Sequence, residues 1–252
     1  MGHRFELQKD IELAATPEQV WEAIATGPGL DSWFMGRSEV EPEVGGRARL
    51  SMAGHVDEAT ITAWEPGKRF ADRTEPGPDG IFMAIEYLIE GRDQGSTVLR
   101  LVQSGVLGDN WEAEYEAMTT GWDMYLGTLA AYLAHFPGRT GTPVTAFRPG
   151  VGGPDRAWAA VTDAFGISGP VTEGAPVRLT VDGLPPIEGV VDLAGLPTYV
   201  GVRTSDALYR FLHSGIERGD TLVLGHHIFA PDSDPARTEQ AWQHWLNALP
   251  VG

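Results

Sequence analysis

The residues from Glu112 to Ala134 restrict what this chain can fold into more than any other stretch. Tyr115, Met118, Trp122, Tyr125, Leu126, Leu129 and Leu133 recur at spacings of three and four, the period of one helical face. The spacing predicts a helix of roughly six turns carrying a broad apolar and aromatic stripe, with Glu112, Glu114, Glu116 and Asp123 left for water or the rim. A stripe this long and bulky requires a wide apolar partner, and a curved antiparallel sheet supplies one.

The residues before the helix read as that sheet. Phe5 to Leu13 alternates and then turns apolar, a first strand. Thr16-Pro17-Glu18-Gln19 is a helix start, with Thr as N-cap, Pro at the first helical position and Gln three residues after the cap. Val20, Trp21 and Ile24 form the buried side of a short helix that Gly27-Pro28-Gly29 is expected to stop. Trp33 and Phe34 follow between breakers; they either plug one end of the core or line a pocket mouth, and plugging is the commoner fate. Strands are expected over Arg47–Met52, Glu58–Trp64, Lys68–Thr74, Ile81–Glu90 and Ser96–Val102, with turns at Glu65-Pro66-Gly67, at Glu75 to Gly80 and at Gly91 to Gly95. Strand, short helix, antiparallel meander and long closing helix make an α+β order.

The residues that carry a family likeness are Thr16-Pro17-Glu18-Gln19-Val20-Trp21-Glu22-Ala23-Ile24, Trp33-Phe34, Gly45-Gly46-Arg47, Trp64-Glu65-Pro66-Gly67-Lys68-Arg69, Ser96-Thr97-Val98-Leu99, Ser104-Gly105 and Gly121-Trp122. Taken in order over about residues 5–135, they resemble the SRPBCC (START and polyketide-cyclase-like) superfamily and are most similar to the branch homologous to the activator of the heat-shock chaperone ATPase. The resemblance implies a helix-grip fold, a curved antiparallel sheet clasping a long C-terminal helix, often around an apolar cavity. It implies no single activity: the superfamily includes lipid carriers, hormone receptors, polyketide cyclases and aromatases, stress proteins and chaperone activators.

His135 to Pro143 has the composition of a linker, and after it the chain starts again. Pro154 to Val161 lines up with Pro17 to Ile24, Arg178 to Gly183 with Arg49 to Gly54, Val200 to Thr204 with Phe70 to Thr74, and Gly219 to Val223 with Gly95 to Leu99. Trp242, Trp245, Leu246 and Leu249 then match Trp122, Tyr125, Leu126 and Leu129. Five matches in order argue for an internal repeat. The expected organisation is a helix-grip domain over 1–136, a linker and first strand over 137–153, and a shortened, degenerate copy over 154–252. The copy lacks the Trp33-Phe34 cluster and has a shorter closing helix, about Pro235 to Leu249, so it is expected to hold less of a cavity and to be mainly structural or to contact the first domain.

Composition narrows the function. A chain of 252 residues suits two domains at roughly 100–150 residues each. A net charge of −17 repels phosphate backbones and anionic membranes, which argues against nucleic-acid binding. The absence of cysteine excludes disulfides, thiol catalysis and thiolate metal sites. No run approaches a membrane-spanning length, and the N-terminus has no apolar core of the signal-peptide kind, so membrane insertion is not expected and the cytoplasm is the expected compartment.

No catalytic constellation is visible, and neither a metal site nor a cofactor is expected. His226 and His227 adjoin on one strand and point to opposite faces, so they cannot chelate one ion together, although His213 on the preceding strand can neighbour one of them. Glu112, Glu114 and Glu116 suit a helix N-terminus. The candidate cavity residues are Trp33, Phe34, His55, Phe70, Phe82, Tyr87, Trp111, Tyr115, Met118 and Trp122, with His55 as a turn residue that can also serve as a general base or ligand contact. The ordinary fate of such aromatics is to fill the core completely. Against it, a bent sheet around a long helix leaves a cleft at one end, where the tips of Tyr87, Tyr115, Tyr125 and Trp122 can orient an amphipathic guest. Three functions follow: a non-catalytic binding protein for a small apolar or amphipathic molecule, an enzyme of the cyclase, aromatase or dehydratase kind, and, from the resemblance, a module acting on a chaperone.

Overall fold

The computed structural model describes residues 2–92, 95–196, 198–215, 218–231 and 233–251. The chain divides into two compact units, Met1–Thr140 and Gly141–Gly252. Both are α+β helix-grip units: a leading strand, a short helix, an antiparallel meander and a closing helix.

In the first unit β1 (His3–Leu13) runs into α1 (Pro17–Ala25), whose start is the capping box legible in the sequence. The Thr16 side chain accepts the Gln19 N–H, and the Thr16 N–H donates to Gln19 Oε1 at 2.9 Å. Val20, Ala23 and Ile24 are its buried face. Gly27-Pro28-Gly29 does not simply stop the chain there. Thr26 ends α1 and caps a second short helix, α2 (Gly27–Asp31), accepting the Gly29 N–H at 3.0 Å. A Cβ on Gly29 would run into the Glu22 carbonyl oxygen, so the close turn between the helices requires glycine there.

The meander consists of β2 (Arg37–Val40), β3 (Arg47–Met52), β4 (His55–Glu65), β5 (Arg69–Arg73), β6 (Phe82–Gly91) and β7 (Thr97–Leu107). Its strand order is β1-β7-β6-β5-β4-β3-β2, all antiparallel, with an irregularity in β4 between Ile61 and Ala63. The sequence reading has no β2, and it ends β7 at Val102, five residues short of Leu107. Of the expected Gly91–Gly95 hairpin, residues 93–94 lie outside the described residues. The closing helix α3 (Trp111–His135) buries Trp122, Met124, Leu126, Leu129, Tyr132 and Leu133, all from its middle onward. Its first half keeps only partial cover, with Trp111, Tyr115 and Met118 half-buried. Lys9 on β1 reaches Asp123 on α3 at 2.5 Å and ties helix to sheet at the change between the two halves.

The second unit consists of β8 (Thr142–Arg148), α4 (Pro154–Ala164), β9 (Pro176–Leu179), β10 (Ile187–Leu193), β11 (Tyr199–Arg203), β12 (Ala207–His213), β13 (Leu222–Ile228) and α5 (Pro235–Ala248). Its strand order is β8-β13-β12-β11-β10-β9. The core joins Ala157 and Val161 of α4, Phe211, Leu222 and Leu224 of the sheet, and Trp242 and Leu246 of α5.

Candidate functional site

Strand alternation decides which residues of the first unit face α3. Leu7, Lys9, Gln103, Tyr87, Ile85 and Phe70 lie on that face by register, and α3 meets it through Trp122 and Asp123. Phe34, Phe70, Tyr87, Trp122 and Tyr125 form one aromatic cluster there. Phe34 stacks on Tyr125 with centroids 4.1 Å apart, Tyr87 meets Trp122 edge-on at 6.3 Å, and Phe70 lies parallel to Tyr87 at 6.2 Å. The Trp122 indole N–H donates to Gln103 Oε1 at 2.6 Å. Phe70, Tyr87 and Trp122 are buried, while Phe34 and Tyr125 remain half-buried and form the accessible wall.

The other expected cavity residues separate. Trp33 is wholly buried and its indole N–H donates to the Ala23 carbonyl at 2.9 Å, so it is a plug under α1. Trp111 stacks on His3 at 5.3 Å, and Tyr115 packs edge-on against Phe5 at 6.2 Å; with Met118 they line the half-covered first turns of α3. Two expectations are corrected. Phe82 is on the opposite face of β6 from Tyr87, where the Arg73 guanidinium sits 4.0 Å from its ring. His55 is at the exposed β3–β4 hairpin, 3.1 Å from Asp57, and contributes nothing to the groove.

One residue of this face was not singled out from the sequence. Asp72 shares its face of β5 with Phe70, and its neighbours across the strands are Ile61 and Ile85. It is half-buried, and among the described residues its carboxylate has no hydrogen bond or ion pair. Burial pushes its pKa up to about 7. The Tyr87 phenol is driven well above its ordinary value by burial and then by the charges of Asp72 and Tyr125. The groove thus combines a carboxyl that titrates near neutrality, a phenol that stays protonated and an aromatic wall. The signal was available: alternation from Phe70 puts Asp72 inward, but a charged residue in a short strand is ordinarily assigned outward.

The second unit, expected to hold less of a cavity than the first, nonetheless has an open groove. A cleft of about 700 Å³ opens there, lined by residues including Leu184, Asp206, Tyr209, Arg237 and Trp242. His213 and His226 do not form a metal site; His213 Nε2 lies 2.8 Å from the Gly152 carbonyl, and His226 Nδ1 accepts the Arg210 N–H at 3.0 Å. Among the described residues no three His, Asp or Glu side chains are grouped to hold an ion. No described helix is long and apolar enough to cross a membrane.

Residues 14–134 match the family model described as Activator of Hsp90 ATPase homolog 1-like protein. The likeness covers most of the first unit, Met1–Thr140. The activator-like unit therefore has its closing helix, its capping box and its aromatic groove within the matched region. Among solved structures, protein MLL2253 from Mesorhizobium loti is 22% identical, with a TM-score of 0.47, covering 52% of this chain and 98% of its own. DynU16, a putative protein in the dynemicin biosynthetic locus, is 21% identical with a TM-score of 0.46 and covers 98% of this chain and 97% of its own. The di-domain ARO/CYC BexL from the BE-7585A biosynthetic pathway is 13% identical with a TM-score of 0.47, covering 97% and 95%. No curated protein matches the chain.

Proposed function

We propose that the activator-like unit binds a small apolar or amphipathic molecule between its sheet and the middle of α3, at Trp122 and Tyr125. The observation that carries this reading is the half-covered aromatic wall with an unpaired carboxyl on it. Phe34 and Tyr125 present ring faces, and Asp72 supplies a polar anchor without a protein partner. Such a site favours a guest with a flat apolar body and one N–H or O–H donor. A titration of the full chain with N-phenyl-1-naphthylamine, a neutral aromatic amine that brightens in apolar surroundings, tests it. Tyr125→Ala is expected to weaken binding about tenfold or more by removing the stacked wall, while His55→Ala leaves it unchanged. Unaltered binding in Tyr125→Ala would refute the groove as the site.

One observation favours a catalytic version of the same site. A carboxyl titrating near pH 7 beside a permanently protonated phenol is suited to moving a proton from carbon to oxygen on a carbonyl compound. This is the chemistry of the cyclase, aromatase and dehydratase kind. The family description points instead to a chaperone partner, which an exposed apolar face would support. Among the described residues the exposed large hydrophobics are Val44 and Val56, which favours the small-molecule reading.

A further inference from the structure

The closing helices of the two units treat their tryptophans differently. In the first, the Trp122 N–H has an acceptor in Gln103 on β7. In the second, Trp242 meets His226 on β13, ring centroids 4.3 Å apart. His226 cannot take the part of Gln103. Its Nδ1 accepts the Arg210 backbone N–H, and burial holds its pKa well below the ordinary value, so the ring is neutral with its proton on Nε2. Trp242 Nε1 and His226 Nε2 are therefore both donors, both buried, and neither has a hydrogen-bond partner. Buried donors without partners are uncommon, and two on adjoining rings lack one thing, an acceptor.

Trp242 also belongs to the lining of the 700 Å³ cleft. The apolar part of that lining includes Leu184, Pro185, Pro186 and Ile187, with the Tyr209 ring 5.4 Å from Trp242. Its charged residues are Glu188, Asp206, Asp234 and Arg237, and the Arg237 guanidinium donates to the Gly183 carbonyl at 3.0 Å. Glu188 is paired with Arg178 at 2.9 Å, and Asp206 and Asp234 against one engaged cation disfavour an anionic guest.

We propose that this cleft is a second binding site, for a planar and largely apolar molecule bearing a neutral carbonyl oxygen, which accepts the Trp242 indole N–H. The volume is of the size that holds a small organic ligand. The neutral donor matches a ketone or amide oxygen better than a carboxylate, and the half-buried Tyr209 ring, with the wholly buried Trp242 behind it, matches a flat body.

The test compares 9-fluorenone with fluorene, the same frame without the carbonyl, on the full chain carrying ¹⁵N-labelled indoles. Fluorenone is expected to shift the Trp242 N–H resonance and to bind about five- to tenfold more tightly than fluorene. In Trp242→Phe that preference should vanish. Ser205→Trp, at an exposed position of the cleft lining, should weaken both compounds and leave the Trp122 resonance as it was. Because Trp122 reports the first unit's groove, binding at the two places is read separately. A fluorenone shift at Trp122 alone, equal affinity for the two compounds, or binding insensitive to Ser205→Trp would each overturn the proposal. Ser205→Trp and the wild-type preference keep it open to refutation should Trp242→Phe fail to fold.

Discussion

Replacing Asp72 by Asn should stabilise the first unit, and more at pH 8 than at pH 5. Burial raises the Asp72 pKa from 3.8 to about 7. A gap of about three units corresponds to about 4 kcal/mol once both states are charged. Below about pH 4 folded and unfolded chains both hold the proton, and the residue has no pH-dependent effect. As pH rises towards 7 the unfolded chain releases its proton while the folded unit retains it, so the wild-type unit loses stability across that window and gains none back above it. Asn does not titrate. Its advantage over Asp should therefore grow by about 3 kcal/mol between pH 5 and pH 8. Asp31, whose pKa burial also raises to about 6, is present in both proteins and cancels from the difference. The measurement is urea unfolding of the full chain at the two pH values, followed through the Trp122 indole resonance, which reports this unit alone. An advantage equal at both pH values, or larger at pH 5, would show that Asp72 is solvated and that the groove has no desolvated carboxyl.

Three other perturbations have defined outcomes. Thr16→Ala removes one half of the capping box and should destabilise the first unit by about 1 kcal/mol in urea unfolding, with little effect on the second. Asp192→Ala strips a buried guanidinium of its counter-charge, since both Asp192 oxygens lie 2.9 Å from Arg210, and should cost the second unit about 3–5 kcal/mol. Gln103→Leu leaves the buried Trp122 N–H without an acceptor and should cost the first unit about 1–3 kcal/mol, visible as an upfield move of the Trp122 indole proton as its hydrogen bond is lost.

The sequence carried the frame of the first unit and misjudged its finer contents. Periodicity found α3 to within a residue at each end, and the Thr16-Pro17-Gln19 pattern found α1, because caps and long stripes are local signals. The strand β2 escaped because it has four residues and no buried side chain, and α2 escaped because Gly27-Pro28-Gly29 has the composition of a stop. Cavity residues were harder. Phe82 and Tyr87 are equally aromatic, and only the register of β6 against β7 separates their faces. Asp72 was hidden by its charge. The cleft of the second unit was not legible from a shorter helix, because its lining is drawn from turns, among them Leu184 to Pro186 and Thr204 to Asp206, whose approach to α5 is a tertiary fact.

The inner faces of the two units differ in a way that register makes explicit. Phe70 faces Tyr87 in the first unit, and Val200 faces Phe211 in the second; two residues along, Asp72 faces Ile85 while Val202 faces Tyr209. The polar group has changed strand, from a carboxyl on β5 to a phenol on β12, and the acceptor Gln103 has its counterpart in a donor, His226. That histidine also has a structural task. Between the pairs Leu208↔His227 and Phe211↔Leu224 the β12–β13 ladder is interrupted, and the Arg210 N–H donates to His226 Nδ1 instead. His226→Phe keeps a ring against Tyr209, Phe211 and Trp242 but unpairs that buried N–H, so it should cost about 1–3 kcal/mol. Exchange of the Arg210 amide should accelerate correspondingly; an amide as protected as in the wild type would show that another acceptor holds it.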